Sequence, residues 1–332
     1  MIRVGQSFPI NDTSQIAPAR RMATQSAEAL RLGPTATGKA ALVATELATN
    51  IIKHGDGGSI LFGSSSDPNA LILIAIDRGR GIANVAAAMT DGYSTAGSPG
   101  TGLGAITRNV SAYDLYTGTS GTVLLCRIDA EGARPSVVAN APRFAIGGVA
   151  IPKPGEEQCG DSWTATEGRD YVDVAVADGL GHGMLASTAS TSAVRVIAAN
   201  VEKKLEHVYE EAHGALRSTR GAAVGIARVG HNRVEFAGVG NIAGTIVDDD
   251  ATRRMVSLNG IVGHEMRRVQ SYSYPWSEHA VLILASDGLS TSWNVNNYPG
   301  LLQRDPAVIA AVLYRDHSRG NDDSTAVVMK SM

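Results

Sequence analysis

Two apolar runs in the second half of this 332-residue chain end on an aspartate followed by a glycine. They are "YVDVAVADGLGHG" at 171–183 and "AVLILASDGLS" at 280–290. A third, "NDDSTAVVMK" at 321–330, runs the other way, with Asp322 and Asp323 in front of the apolar residues. If the third strand lies antiparallel to the other two, all these acidic groups arrive at one edge of a sheet. Asp161 in "QCGDSW", just ahead of the 171–178 run, can arrive there too. Any one Asp-Gly pair favours a turn. Four acidic strand ends at one edge are another matter, because clustered carboxylates repel unless a cation neutralises them. A set of oxygen donors alone favours Mg²⁺ or Mn²⁺ over zinc.

A chain of this length exceeds one usual core, so two domains are expected. Hydrophobic residues make up 44% and mean hydropathy is −0.01, ordinary for a globular chain. A net charge of −3 and a pI near 6.2 supply no basic field for nucleic acid. No apolar run approaches the roughly 20 residues that span a bilayer, and "MIRVGQSFPINDTSQ" lacks the apolar core of a signal peptide. The only cysteines, Cys126 and Cys159, are too few for a disulfide framework or a thiolate metal site. A reduced, cytoplasmic chain fits these features, and its oligomeric state stays open.

The stretch "DAEGARPSVVANAPRF" at 129–144 holds two prolines between strand-like patterns and reads as the junction. We place one domain at 1–134, a linker at 135–142 and a second domain at 143–332. In the first, residues 14–32 and 35–54 carry helical patterns, the latter closed by Gly55 as a C-cap. "GSILFGSSS" and "ALILIAID" read as strands around a "DPN" turn, and "YDLYTGTSGTVLLCRI" as a hairpin. In the second, six strand patterns surround two helices between 183 and 217. The fold class is α+β throughout, with an antiparallel assembly in the second half.

In "ATELATNIIKHG", helical spacing puts Glu46, Asn50 and Lys53 along one face, beside an apolar stripe of Val43, Leu47 and Ile51. By itself that is a polar helix face. Two later stretches add to it. "LILIAIDRGRGIA" ends a strand on Asp77, with Gly79 and Gly81 allowing close approach to the backbone. "STAGSPGTGLGAITRNV" is a glycine-rich loop, including Gly100, Thr101, Gly102 and Leu103, that opens a helix at Gly104. Backbone N–H groups at such a loop and helix start suit phosphates.

The ordered trio E-L-x-x-N-x-x-K-H, D-x-G-x-G-I and G-T-G-L-G resembles the GHKL (Bergerat) ATP-binding fold, in particular the anti-sigma-factor serine kinases of bacterial partner switching. That resemblance implies an α/β sandwich over residues 10–128. Asn50 would hold a Mg²⁺ on the phosphates, Asp77 would read the adenine amino group, and residues 97–104 would close as a lid. Glu46 would accept the proton of a substrate serine, the one base that phosphoryl transfer needs beyond positioning and charge neutralisation. Lys53 would either touch a phosphate or remain solvated, and His54 would cap its helix.

In the second half, the order G-D, D-G-x-G-H-G, S-D-G, D-D-S-T resembles the PPM-type serine/threonine phosphatases, in their stage II sporulation E and RsbX-like branch. This implies an αββα sandwich over residues 143–330. Asp178 and the Gly179 carbonyl, Asp287 and Asp322 would hold two Mn²⁺ or Mg²⁺ ions, with Asp161 and Asp323 as further ligands or supports. Such an ion pair activates water at neutral pH and clamps the phosphate. His182 stands as either a proton donor or a packed histidine at a helix start. Cys159 is either a redox-sensitive thiol or an inert one. "AGVGNIAG" lacks the His-Pro that many relatives carry in this segment. Together the two resemblances imply a regulator that phosphorylates and dephosphorylates a STAS-domain protein, with a sigma factor as a further partner. A first half that only binds ATP and its partner, or an ATPase that drives conformational change, are the competing readings.

Overall fold

A computed structural model describes residues 1–88, 102–134, 143–248 and 251–332. The described chain forms two compact units. One comprises the residues up to 134 together with Tyr298–Arg315. The other comprises 143–297 together with Asp316–Met332. The expected linker at 135–142 lies outside the described residues. The division differs from the linear one read from the sequence, since Tyr298–Arg315 groups with the first unit.

The first unit runs β1 (Ile2–Ile10), α1 (Ile16–Ala29), α2 (Pro34–His54), β2 (Gly58–Ser66), β3 (Asn69–Asp77), α3 (Val85–Ala88), α4 (Gly102–Asn109), β4 (Ala112–Gly118) and β5 (Gly121–Asp129). Its strands lie in the order β1-β2-β3-β5-β4, every neighbouring pair antiparallel. Pro34 starts α2, where a missing N–H costs nothing, and Gly55 closes it by donating to the Ile51 carbonyl at 2.8 Å. Val43, Leu47 and Ile51 are buried in a core shared with α1, β2 and β3. This leaves the Glu46–Asn50 face half-buried. The hairpins and both long helices stand where the sequence places them. β1 was not foreseen: Ile2, Val4 and Ile10 are buried, but a bulge between Val4 and Gln6 breaks the period-two pattern.

The second unit runs β6 (Phe144–Ile151), β7 (Asp161–Glu167), β8 (Val172–Gly179), α5 (Met184–Ala199), α6 (Leu205–Leu216), β9 (Ala222–Val229), β10 (Arg233–Val239), β11 (Ala243–Asp248), β12 (Ala251–Met255), β13 (Tyr272–Pro275), β14 (Val281–Ala285) and β15 (Ser324–Ser331); α7 (Pro306–His317) lies before β15 and belongs to the first unit up to Arg315. α7 passes from the first unit to the second at Arg315/Asp316. It too escaped the sequence reading, because a helix apolar all round shows no period. One sheet has the order β12-β11-β14-β15-β6 and the other β13-β10-β9-β8-β7. Val174, Val176, Val234 and Phe236 of the second sheet meet Ile246, Leu282, Leu284, Val327 and Met329 of the first in one apolar layer. α5 and α6 cover the other face of the second sheet, burying Ile197, Val208, Tyr209 and Leu216 against Val224 and Ile226.

One charged pair is built into that second sheet. Asp173 of β8 is 1% exposed and stands opposite Arg228 of β9, which donates two hydrogen bonds to it at 2.8 Å. Arg228 also donates to the Val201 carbonyl at 2.6 Å and lies over the Tyr171 ring at 4.3 Å. Burial raises the Asp173 carboxyl, and the guanidinium pulls it back. Arg228→Leu leaves that carboxylate unpaired and is expected to cost the second unit about 3–5 kcal/mol, read as a lower urea midpoint. Unchanged stability would show that the pair contributes nothing net.

Candidate functional sites

In the first unit the last turn of α2 meets the end of β3. Glu46 and Asn50 lie one turn apart on α2, and among the described residues neither side chain has a hydrogen bond or ion pair. Lys53 and His54 are exposed in its last turn. Asp77 ends β3. Its Oδ1 accepts from the Gly79 N–H at 2.9 Å and from the Thr122 N–H at 3.1 Å, which fixes the carboxylate and leaves Oδ2 free of them. Burial raises this carboxyl, opposed by those two N–H groups and by the Arg315 and His54 charges.

Glycine is required around it. A Cβ on Gly55 would lie 2.6 Å from the Asp77 Cβ, one on Gly79 2.3 Å from the His54 carbonyl oxygen, and one on Gly121 2.0 Å from the Asp77 carbonyl oxygen. Gly81, at φ +71°, packs as closely on the Gly118 carbonyl. Gly102, Leu103 and Gly104 open α4, whereas Gly100, Thr101 and the rest of the expected lid lie outside the described residues. Thr117 and Thr122 escaped the sequence reading. Thr117 accepts from the Ile82 N–H at 2.9 Å, and the two hydroxyls lie 3.2 Å apart beside Asp77. The "TGTSGT" of their hairpin was the available signal.

In the second unit the strand ends gather as the alternation of direction demands. Asp161 and Asp178 face each other across β7 and β8. β15 runs antiparallel to β14, so Asp322 and Asp323 precede it at the end where β14 leads into Asp287. Ser286 links the two sheets: its hydroxyl donates to Asp161 Oδ2 at 2.7 Å and accepts from the Thr325 N–H at 3.0 Å. Asp323 accepts from the Lys153 N–H at 2.9 Å. Close packing again needs glycine. A Cβ on Gly160 would meet Asp323 Oδ2 at 2.5 Å, one on Gly179 the Ala186 carbonyl oxygen at 2.1 Å, and one on Gly288 the Asp323 carbonyl oxygen at 1.8 Å.

The electrostatics follow from burial and like charge. Asp178 is pushed up to about 9, first by burial and then by Asp161, Asp287, Asp322 and Asp323. Asp161 rises to about 7, again by burial first, with Asp323 and Asp287 adding to it against the hydrogen bonds of Ser286 and Thr325. Among the described residues no three His, Cys, Asp or Glu side chains converge closely enough to hold an ion without moving. The residues nonetheless fit one. The donors are all oxygens, Asp323 Oδ2 is buried without a hydrogen-bond partner, and five carboxylates act on one another across one end of the two sheets.

Around this cluster the structure adds residues that the sequence reading did not assign. Asn241, in the segment without His-Pro, donates from Nδ2 to Asp287 Oδ2 at 2.5 Å. His182 is not packed: it is exposed, and its Nδ1 lies 2.6 Å from Glu156 Oε1. Cys159 is held as a thiol, its titration raised by burial and by Asp161 and Asp323, which favours the inert reading. Among the described residues no helix is long and apolar enough to cross a membrane.

Comparison with known proteins agrees with this geometry. Residues 9–128 match the family model of the histidine kinase-like ATPase domain, and residues 168–331 that of stage II sporulation protein E. Serine/threonine-protein kinase RsbT of Bacillus subtilis is 31% identical over 102 residues, which is 30% of this chain and 77% of RsbT. Phosphoserine phosphatase RsbX of the same organism is 23% identical over 141 residues, 42% of this chain and 71% of RsbX. Two solved structures share the second fold. A chain from work on the bacterial stressosome has a TM-score of 0.53 at 23% identity, covering 57% of this chain and 100% of its own. RsbX in complex with magnesium has a TM-score of 0.52 at 19% identity, covering 58% and 98%. The chain therefore belongs to the histidine kinase-like ATPase family through its first domain and carries, as its second, a PPM-type serine/threonine phosphatase of the stage II sporulation protein E kind.

Proposed function

We propose that the first domain binds Mg-ATP and phosphorylates a serine on a STAS-domain protein, and that the second hydrolyses phosphoserine or phosphothreonine on the same partner with two divalent ions, Mn²⁺ or Mg²⁺. The observation that carries this reading is the pairing, on one chain, of the Glu46–Asn50 face of α2 and the half-buried Asp77 with the five-carboxylate cluster. In the first site Asn50 would hold the ion on the phosphates. Asp77, oriented by the Gly79 and Thr122 N–H groups, offers its free oxygen to an adenine amino group. Glu46, without a partner among the described residues, takes the serine proton.

In the second site Asp178, the Gly179 carbonyl, Asp287 and Asp322 would hold the ions, with Asp161 and Asp323 supporting them. Bound ions supply an activated water and a clamp on the phosphate oxygens. The chain's own task is to keep the carboxylates ionised and aimed. Ser286 holds Asp161 and Asn241 holds Asp287. His182, kept in place by Glu156, is positioned to return a proton to the leaving serine oxygen.

The competing reading keeps the phosphatase and makes the first domain a module that only binds ATP and sequesters its partner, a STAS protein or a sigma factor. Glu46 favours the kinase, because binding alone needs no base. Nucleotide is the economical regulator of the pair.

Three outcomes are expected. Asp178→Asn abolishes phosphoserine hydrolysis and the thermal stabilisation by Mn²⁺ while ATP binding persists, since it removes a charge that holds an ion. At a hundred times Kd that stabilisation is about 2.7 kcal/mol. Near-normal hydrolysis by this variant in saturating Mn²⁺ excludes the two-metal assignment. Glu46→Gln retains ATP but loses transfer from labelled ATP to a purified STAS protein, whereas Asn50→Ala weakens Mg-ATP binding itself. Equal transfer rates for wild type and Glu46→Gln favour the binding module. Finally, the rate on phospho-STAS protein differs between ADP, a non-hydrolysable ATP analogue and no nucleotide; identical rates exclude nucleotide as the regulator.

A further inference from the structure

The largest charges that act on Asp178 are acidic, yet the substrate that must come to it carries a dianionic phosphate. Among the described residues, Arg220 is a cation suited to receive it. Arg220 follows α6 and precedes β9. In the β8–β9 register Asp178 pairs with Ala223 and Gly179 with Ala222, so Arg220 stands at the same end of the sheet as Asp178. Its Nη1 lies over the catalytic loop: a Cβ added at Gly181 would be 2.8 Å from it, and Gly181 has a φ of +86°.

The backbone carrying Arg220 is held from three sides. The Leu180 N–H donates to the Gly221 carbonyl at 3.0 Å, the Gly221 N–H to Thr219 Oγ1 at 3.0 Å, and His264 Nε2 lies 3.1 Å from the Thr219 carbonyl oxygen. The side chain itself is exposed, and among the described residues it makes no hydrogen bond or ion pair. A fixed base, a free guanidinium and a glycine that makes room for it are what a fork-shaped phosphate receptor requires.

We propose that Arg220 is the phosphate-recognition residue of the second domain, binding two oxygens of the phosphoserine monoester from the side of the Gly181 loop. The proposal rests on reading that domain as a metal-dependent phosphoserine phosphatase, and it names the subsite at which the substrate's charge is read. The guanidinium meets the oxygens left outward when the ester faces the carboxylate cluster, and His182 stands at the neighbouring position of the same loop. No covalent step passes through Arg220. It orients the phosphate and lowers its charge, and releases it after hydrolysis.

The test uses the full chain loaded with Mn²⁺, with Arg220→Ala and Arg220→Lys. Calorimetry reads the affinities for Mn²⁺ and for inorganic phosphate, and steady-state kinetics read KM on a phosphoserine protein and on p-nitrophenyl phosphate. A hydrogen bond to a charged group contributes about 1.5–3 kcal/mol, so Arg220→Ala should weaken phosphate binding and raise both KM values about tenfold to a hundredfold. Lysine should restore part of this, because it keeps the charge and loses the fork. Mn²⁺ affinity should not fall, since removing a nearby positive charge does not oppose a cation.

Unchanged phosphate affinity and KM in Arg220→Ala overturn the proposal. So does a fall in Mn²⁺ affinity or melting temperature that accounts for the loss, for Arg220 would then be a support of the metal site. A wild-type protein that takes up Mn²⁺ yet hydrolyses neither compound overturns the phosphatase reading instead, and the two failures are thereby told apart.

Discussion

The second unit is organised around a repulsion. Five carboxylates are brought to one end of two stacked sheets, where burial alone already disfavours the charge of Asp161 and Asp178. Two unit charges 4 Å apart in partly screened surroundings oppose each other by about 4 kcal/mol. Nothing local would hold such a group together. It persists because the strands that carry it are fixed elsewhere, by the apolar layer from Val174 to Met329 between the sheets and by α5 and α6 on the outer face. The glycines at 160, 179 and 288 belong to the same constraint, since each removes a side chain that would hold the acidic strand ends apart.

The first unit meets a milder demand. Its candidate residues come from one helix face and one strand end, and no like charges have to be forced together. What must be enforced is closeness, and glycines 55, 79 and 121 let α2, β3 and the β4–β5 hairpin converge on Asp77. The Tyr298–Arg315 segment adds to this unit from far along the chain: Asp114 accepts from the Asp305 N–H at 2.6 Å and from Arg304 at 3.3 Å, and Arg315 approaches the Asp77 carbonyl at 3.4 Å.

Much of this was legible because it is periodic or directional. The α2 face follows from the spacing of Val43, Leu47 and Ile51 against Glu46 and Asn50. The hairpins follow from apolar runs around turn residues. The gathering of Asp161, Asp178, Asp287, Asp322 and Asp323 follows from the order of acid and strand, which reverses at residues 322–330. What stayed hidden lacked a local signature. β1 has its alternation broken by a bulge, and α7 is apolar on every side, so no period marks it.

The sequence by itself thus determined which residues can carry charge to each site and on what kind of element, because strand direction and helical spacing are properties of neighbouring residues. Only the tertiary structure decided how those charges are managed. Ser286 joining Asp161 to Thr325, Asn241 donating to Asp287, Glu156 holding an exposed His182, and Arg220 left free over Gly181 all depend on contacts between segments 26 to 125 residues apart. The same holds for Tyr298–Arg315, whose place in the first unit was fixed by what it packs against. Polar side chains at these positions look alike in a sequence, and folding alone determines which of them faces a carboxylate and which is left to face a ligand.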